Sequence, residues 1–272
     1  MEYVQAFESP PVNTGQIKLY GAEAFAGMSA VGRIAAEALD MLADEVRPGV
    51  TTEHLDRLAY DFAFDRGCVP APLNYRGFPK SICTSVNQVV CHGIPNTKKL
   101  REGDILNIDI TFIKDGWHGD SSRMYYVGNV PRKAARLVEI TYEAMMRGIK
   151  EVRPGTTLGD IGAAIQTFAE ENRYSVVRDF CGHGIGLVFH DAPNILHYGR
   201  RGEGITLREG MCFTIEPMIN LGKPEVKLLN DGWTAVTKDR SLSAQFEHSI
   251  GVSTDGAVIF TRSSTGRDCP PY

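Results

Sequence analysis

The sequence predicts an α+β fold built from two duplicated halves, and three observations carry that prediction. Two short strings recur in near register: Glu45-Val46-Arg47-Pro48-Gly49 returns as Glu151-Val152-Arg153-Pro154-Gly155, 106 residues on, and Leu100-Arg101-Glu102-Gly103 returns as Leu207-Arg208-Glu209-Gly210, 107 residues on. Chance rarely keeps two strings aligned over so long an interval. The first string lies each time between two helix-like runs, so the repeated unit reads as helix, helix, strand. The strand of each unit also bears an acid at the equivalent place, Asp109 in NIDITFIK and Glu216 in MCFTIEPMI. Two such units related by a pseudo-twofold axis bring their acids together where the sheets meet. The expected organisation is a flexible lead over 1–15, one domain over 16–272, and halves spanning about 22–130 and 131–262.

Taken in order, residues 1–15 are rich in Pro and polar residues and read as a loose lead. Phe25, Met28, Val31, Ile34, Ala35, Leu39 and Leu42 recur at helical spacing, which predicts an amphipathic helix from Ala22 to Glu45 that stops at Pro48-Gly49. Thr51 or Thr52 can cap a second helix through Leu55, Leu58, Ala59 and Phe62, ending near Gly67. A loop-rich passage, PAPLNYRGFPKSICTSVNQVVCHGIPN, leads to the central stretch NIDITFIKDGWHGD. There Asn107, Asp109 and Thr111 alternate with Ile108, Ile110 and Phe112, the pattern of a half-buried strand, and Asp115-Gly116 supplies a hairpin turn. A two-residue turn pairs Lys114 with Trp117, Thr111 with Asp120 and Asp109 with Ser122. Asp109 and Asp120 then share a face as diagonal neighbours, roughly 7 to 8 Å apart. Carboxylates that close repel unless a proton or a cation sits between them, the alternative being two solvated hairpin acids.

Composition removes several classes of function. With 272 residues, 43% of them hydrophobic, the chain can bury a substantial core. A net charge of -4 gives no basic footprint for nucleic acid. The opening residues lack a signal-peptide pattern and no apolar run is long enough to span a bilayer, so a soluble protein of the cell interior is expected. Six dilute cysteines without CxxC spacing read as reduced thiols rather than a disulfide framework or a zinc finger.

The second half adds His183, flanked by glycines in CGHGIG, and Glu247 in the alternating run SLSAQFEHSI. Glycines beside an imidazole let backbone or a ligand approach it closely. That string lacks the Lys-Ser/Thr of a P-loop and the spacing of a dinucleotide fingerprint. Asp109, Asp120, Glu216 and Glu247 together bring four negative charges, which two divalent cations would neutralise and one would not. Oxygen-rich ligation with one imidazole suits manganese, iron, cobalt or zinc. Two metals about 3.5 to 4 Å apart can share a hydroxide nucleophile and polarise a carbonyl, which is hydrolysis chemistry. His92 in CHGIPN and His190 in FHDAPN sit in Gly/Pro-marked loops and could touch substrate, although a lone loop histidine is more often a surface residue. His54, His118, His197 and His248 carry the plain structural reading. A Cys181/His183 nucleophilic dyad leaves the four acids unexplained and lacks an orienting third group.

CHGIPN, NIDITFIKDGWHGDSSRMYYVG, CGHGIG, TIEPM and SAQFEHSI resemble, in order and spacing, the signatures of the type I methionine aminopeptidases, over about Ala22 to Arg262. The resemblance implies the duplicated pita-bread fold, with an antiparallel sheet under covering helices, and a dinuclear metallo-aminopeptidase that removes the initiator methionine from new polypeptides. Carried over by motif, Asp109 chelates one metal, Asp120 and Glu247 bridge, and His183 and Glu216 bind the other. His92 falls near the substrate amine and scissile amide, and His190 near the carbonyl oxygen. Glu216 also becomes the candidate for moving a proton from the hydroxide to the leaving amine. The apolar methionine pocket maps onto Tyr75, Phe78, Cys83 and Trp233, with Pro72 where enterobacterial members carry cysteine and Phe78 where they carry tyrosine. A monovalent-cation site maps onto Asn87, Val89 and Ser243. The family's shallow second pocket implies cleavage only before a small second residue.

The chain shows neither the N-terminal zinc-binding segment of eukaryotic cytosolic members nor room for the helical insertion of type II. A bacterial or organellar type I enzyme remains, and the absence of a transit-peptide pattern favours the bacterial cytoplasm; a monomer acting on nascent chains beside the ribosome is expected. Two rivals share the architecture. An X-Pro aminopeptidase or prolidase carries a sizeable N-terminal domain that about twenty residues cannot supply. A non-catalytic pita-bread binding protein has lost metal ligands, whereas this chain keeps the full set.

Overall fold

Apolar spacing sets the helices of each half in the computed structural model, which describes residues 2–272. Helix α1 (Ala22–Ala43) buries Met28, Val31, Ala35, Leu39 and Leu42 along one stripe. Helix α2 (Thr52–Asp65) begins where the Thr51 hydroxyl accepts a hydrogen bond from His54 N at 3.2 Å. In the second half, α3 (Arg132–Lys150) is followed by α4 (Leu158–Glu171), whose first turn is closed by a reciprocal capping box between Thr157 and Asp160.

The recurring strings occupy equivalent positions. Gly49 and Gly155 both have φ +91°, a conformation glycine adopts without strain. Gly49 N donates to Leu100 O at 2.8 Å and Gly155 N to Leu207 O at 3.0 Å, while Leu100 N and Leu207 N return bonds of 2.7 Å to Val50 O and Thr156 O. The two repeated strings of each half thus pair with each other, which explains why both recur together.

The central hairpin forms in the expected register. Ile105–Lys114 runs antiparallel to Trp117–Tyr126, with Lys114 opposite Trp117, Thr111 opposite Asp120 and Asp109 opposite Ser122. Asp115 (φ 51°) and Gly116 (φ 85°) provide the two positive-φ positions that this tight turn needs. The second strand then pairs with Glu247–Ser253, placing Glu247 opposite Ser122 and His248 opposite Ser121. Cys212–Ile215, Gly182–Gly184 and Asp191–Ile195 continue the sheet. The pairing of Trp117–Tyr126 with Glu247–Ser253 is therefore the seam between the halves. Each half has its own apolar core under its helices, one around Leu39, Leu55, Ile108 and Phe112, the other around Leu137, Ile165, Phe213 and Ile250.

Three expectations need correction. The strand over 107–113 is not half-buried: Asn107 and Thr111 are each only 2% exposed, because the polar face turns toward the other half rather than to water. The two acid-bearing runs of the second half are not continuous strands. Cys212–Ile215 and Met218–Asn220 are separated at Glu216-Pro217, and Ser243–Gln245 leaves to pair with Met218–Asn220 while Glu247 pairs across the seam. A proline cannot donate to a sheet ladder, so the chain turns there. Finally, the lead is built into the fold: Tyr3–Gln5 pairs in parallel with Ile17–Leu19, and the Tyr3 hydroxyl donates to Thr206 O at 2.6 Å. Among the described residues no helix is long and apolar enough to cross a membrane, and all six cysteines are unpaired thiols.

Candidate active site

A cavity of about 360 Å³ opens at the seam, and Asp109, Asp120, His183, Glu216 and Glu247 all line it. Ligand atoms of Asp120, His183 and Glu247 lie within 4.8 Å of one another. His183 Nε2 stands 3.5 Å from Asp120 Oδ2 and 3.7 Å from Glu216 Oε1. Each acid comes from a strand or strand break at the junction, so the first half supplies Asp109 and Asp120 and the second supplies the rest.

Local sequence explains how these side chains are held. A Cβ on Gly182 would lie 2.4 Å from Thr214 O, and one on Gly184 would lie 2.0 Å from Ala192 O. The glycines flanking His183 therefore let neighbouring strands close against it. Thr111 donates to Asp120 Oδ1 at 2.6 Å. Thr214 donates to Glu216 Oε1 at 2.7 Å and accepts from His183 N at 3.1 Å. Gln245 Nε2 donates to Glu216 Oε2 at 3.3 Å, and Glu216 N donates to His197 Nε2 at 3.0 Å.

Sequence reasoning left these supporting residues without roles. Two of them had a local signal: Thr111 pairs opposite Asp120 in the expected register, and Thr214 stands two residues before Glu216, the spacing that puts side chains on one face of an extended run. His197 and Gln245 had none, because their contacts with Glu216 cross 19 and 29 residues of chain. His197 thus does more than its plain reading suggested. His118 and His248 keep that reading, bonded to Gly186 O and the Thr261 hydroxyl at 2.9 Å each.

The electrostatics ask for positive charge. Burial first, and then the charges of neighbouring acids, pushes the carboxyls of Asp109 and Glu247 well above the ordinary range. Burial also raises Glu216, against the opposing pull of the His183 ring and the Thr214 hydroxyl. Burial alone would lower His183, but its hydrogen bond to Asp120 and the charges of Glu216 and Asp120 outweigh it. Packed carboxylates of this kind are stabilised by cations, and oxygen donors with one imidazole fit manganese, iron, cobalt or zinc. Such a donor set suits a metal-dependent hydrolase.

Around the acids, His92 and His190 face the same cavity. His92 takes φ 55°, and Gly93 beside it lies so close to the strand Cys83–Val86 that a Cβ would sit 2.1 Å from Thr84 O. Its ring meets Phe180 and Trp233 edge-on at 5.5 and 6.3 Å, and burial lowers its pKa, which favours the neutral imidazole. His190 Nδ1 is 3.0 Å from the Tyr75 hydroxyl, and its ring centroid is 4.3 Å from that of His183. Tyr75, Phe78, Cys83, Trp233 and Pro72 line one side, with Phe78 and Trp233 packed edge-to-face at 5.2 Å. Phe180, Phe189 and Met218 complete the apolar wall. Nothing in their local pattern marked them. Elsewhere, Asn87 O accepts from Ser243 N at 2.9 Å, Val89 lies opposite Val236, and the buried Ser243 hydroxyl has no protein partner.

The model of metallopeptidase family M24 matches residues 26–254. Methionine aminopeptidase of Rickettsia prowazekii (strain Madrid E) is 60% identical over 257 residues, covering 94% of this chain and 99% of that protein. The methionine aminopeptidase of Escherichia coli (strain K12) is 52% identical over 236 residues, 86% of this chain and 89% of the relative. The crystal structure of the Rickettsia prowazekii enzyme superposes with TM-score 0.90, covering 91% of this chain and all of that one. The chain belongs to metallopeptidase family M24 and, within it, to the bacterial type I methionine aminopeptidases. Its duplicated sheet and covering helices are the pita-bread fold of these relatives. A prolidase from Pyrococcus furiosus shares the fold at 20% identity and TM-score 0.71, but this chain spans only 66% of it.

Proposed function

We propose that the protein removes N-terminal methionine from new polypeptides in the cytoplasm, as a monomer acting on chains that emerge from the ribosome, when the second residue is small. The observation that carries this reading is the convergence of four acids and His183, drawn from both halves, on the floor of a cavity walled by aromatic side chains. Two divalent cations would be held there by Asp109, Asp120, His183, Glu216 and Glu247. When bound, such ions lower the pKa of water and polarise a carbonyl. The chain's own groups do the rest. Phe78, Trp233, Tyr75 and Cys83 receive the apolar methionine side chain and exclude water from it. His92, held neutral, donates a hydrogen bond at the scissile amide. His190, oriented by the Tyr75 hydroxyl, donates toward the carbonyl oxygen as negative charge develops there. Glu216, fixed by Thr214 and Gln245, takes a proton from the attacking water and delivers it to the leaving amine. A monovalent cation between Asn87, Val89 and Ser243 belongs to the same reading, supported by the unpartnered Ser243 hydroxyl.

The test measures metal content and methionine release from Met-Ala-Ser in one preparation, beside X-Pro and Met-Leu peptides. Release from Met-Ala-Ser with about two metals bound per chain is expected. Cleavage of X-Pro instead, or of Met-Leu as fast as Met-Ala, refutes the specificity. Silence toward all peptides with metal bound refutes the enzyme.

A further inference from the structure

His190 ends a stretch, residues 185–190, that belongs to no strand. Its first part is tied to the sheet, with Ile185 N bonded to Cys212 O at 3.1 Å and Gly186 O accepting from His118 N at 3.0 Å. Its last part is gripped from the other end of the chain. Asn13 Nδ2 donates to His190 O at 3.1 Å. Lys18 Nζ donates to Asp191 Oδ2 at 2.6 Å and to Val12 O at 2.9 Å, and the Lys18 and Asp191 side chains are each only 3% exposed. Asp191 stands directly opposite Gly184, the residue after His183.

The anchor behind these contacts is itself fixed. Asn13 Oδ1 accepts from Gly15 N at 2.9 Å, Ile17–Leu19 pairs with Tyr3–Gln5, and Tyr20 N donates to Gly210 O at 2.8 Å. Tyr20 also lies against the same stretch, since a Cβ on Gly186 would come within 2.3 Å of its hydroxyl.

We propose that Lys18, with Asn13, is a positioning residue for the reaction: the N-terminal segment is a strap that sets where the His190 imidazole stands, through Asp191 and the His190 carbonyl. A buried ammonium paired with one carboxylate holds a fixed geometry, because either charge left alone in that place is strongly disfavoured. Displacement of a catalytic group by about 1 Å can lower turnover on the order of a hundredfold. The strap thus couples 173 residues of sequence separation to a ring 3.0 Å from Tyr75.

This inference rests on the peptidase reading, and the experiment separates the two. Wild type and His190→Ala are first assayed on Met-Ala-Ser; a silent wild type removes the basis for both, whereas a fully active His190→Ala overturns the strap alone. Lys18→Met is then expected to lower kcat by about 10- to 100-fold with KM and metal content near wild type. Hydrogen exchange over residues 185–191 rises in the same variant. In the His190→Ala background the Lys18 change adds no further loss, because its effect passes through that ring. Lys18→Met strands Asp191, so Lys18→Met/Asp191→Asn, which removes both charges, and Asn13→Ala, which removes only the bond to the carbonyl, are made alongside. Both are expected to lose kcat in the same pattern, Asn13→Ala by about three- to tenfold. Wild-type kcat in these variants, or a loss undiminished in the His190→Ala background, overturns the proposal.

Discussion

Replacing Thr214 by valine keeps its shape and deletes one hydroxyl that serves two site residues at once. The side chain is fully buried, donating to Glu216 Oε1 at 2.7 Å and accepting from His183 N at 3.1 Å. A hydrogen bond to a charged group contributes about 1.5 to 3 kcal/mol, and an orphaned buried N–H costs about 1 to 3 kcal/mol. The two effects overlap because Glu216 keeps its bond from Gln245, so a loss of about 3 kcal/mol is expected in the metal-free protein. Urea unfolding, followed by tryptophan fluorescence and circular dichroism, measures it as a lower midpoint with an unchanged slope. Metal titration of the same variant should show affinity reduced by about 10- to 100-fold, since Thr214 orients two proposed ligands. A variant within about 0.5 kcal/mol of the parent that also binds metal normally would refute the assignment of this hydroxyl.

Asp109→Asn and Glu216→Gln should each abolish methionine release and lower metal content measured by elemental analysis, because each removes a charge the cations need. His92→Ala should lower kcat by about a hundredfold or more while metal content stays at the wild-type level; a parallel fall in metal would make it a ligand instead. Gly119→Ala should destabilise the fold by about 1 to 3 kcal/mol, because its new Cβ would meet the α1 backbone at Val31 C and Gly32 N, 2.9 Å away, and neither can rotate aside. Thermal unfolding checks it, and an unshifted midpoint would show that α1 gives way.

How much of this could be read in advance depended on whether the deciding contact was local. The hairpin register was legible because Asp115-Gly116 fixes it within the turn, and the duplication because the strings that recur are the ones that pair. The helix ends were read within about two residues at Ala43 and Asp65. The strand over 107–113 misled because alternation shows which residues share a face but not what covers it; here the second half does. The Glu216-Pro217 break was written in the sequence, yet a run of apolar residues on either side masked it. The N-terminal segment was unreadable for a different reason: its polar composition looks solvated, and its anchors, Thr206, His190 and Asp191, lie far along the chain. Every residue proposed to touch a metal was visible as a charged or imidazole group. The hydroxyls and rings that aim those groups were mostly not, since threonine and phenylalanine are common everywhere.

The seam between Trp117–Tyr126 and Glu247–Ser253 makes the site a joint possession of the two copies. On the proposed two-ion reading, each copy alone brings only two of the four acids, so capture of both ions follows the meeting of the halves. On that reading, ion uptake works as a latch that closes only on a finished molecule.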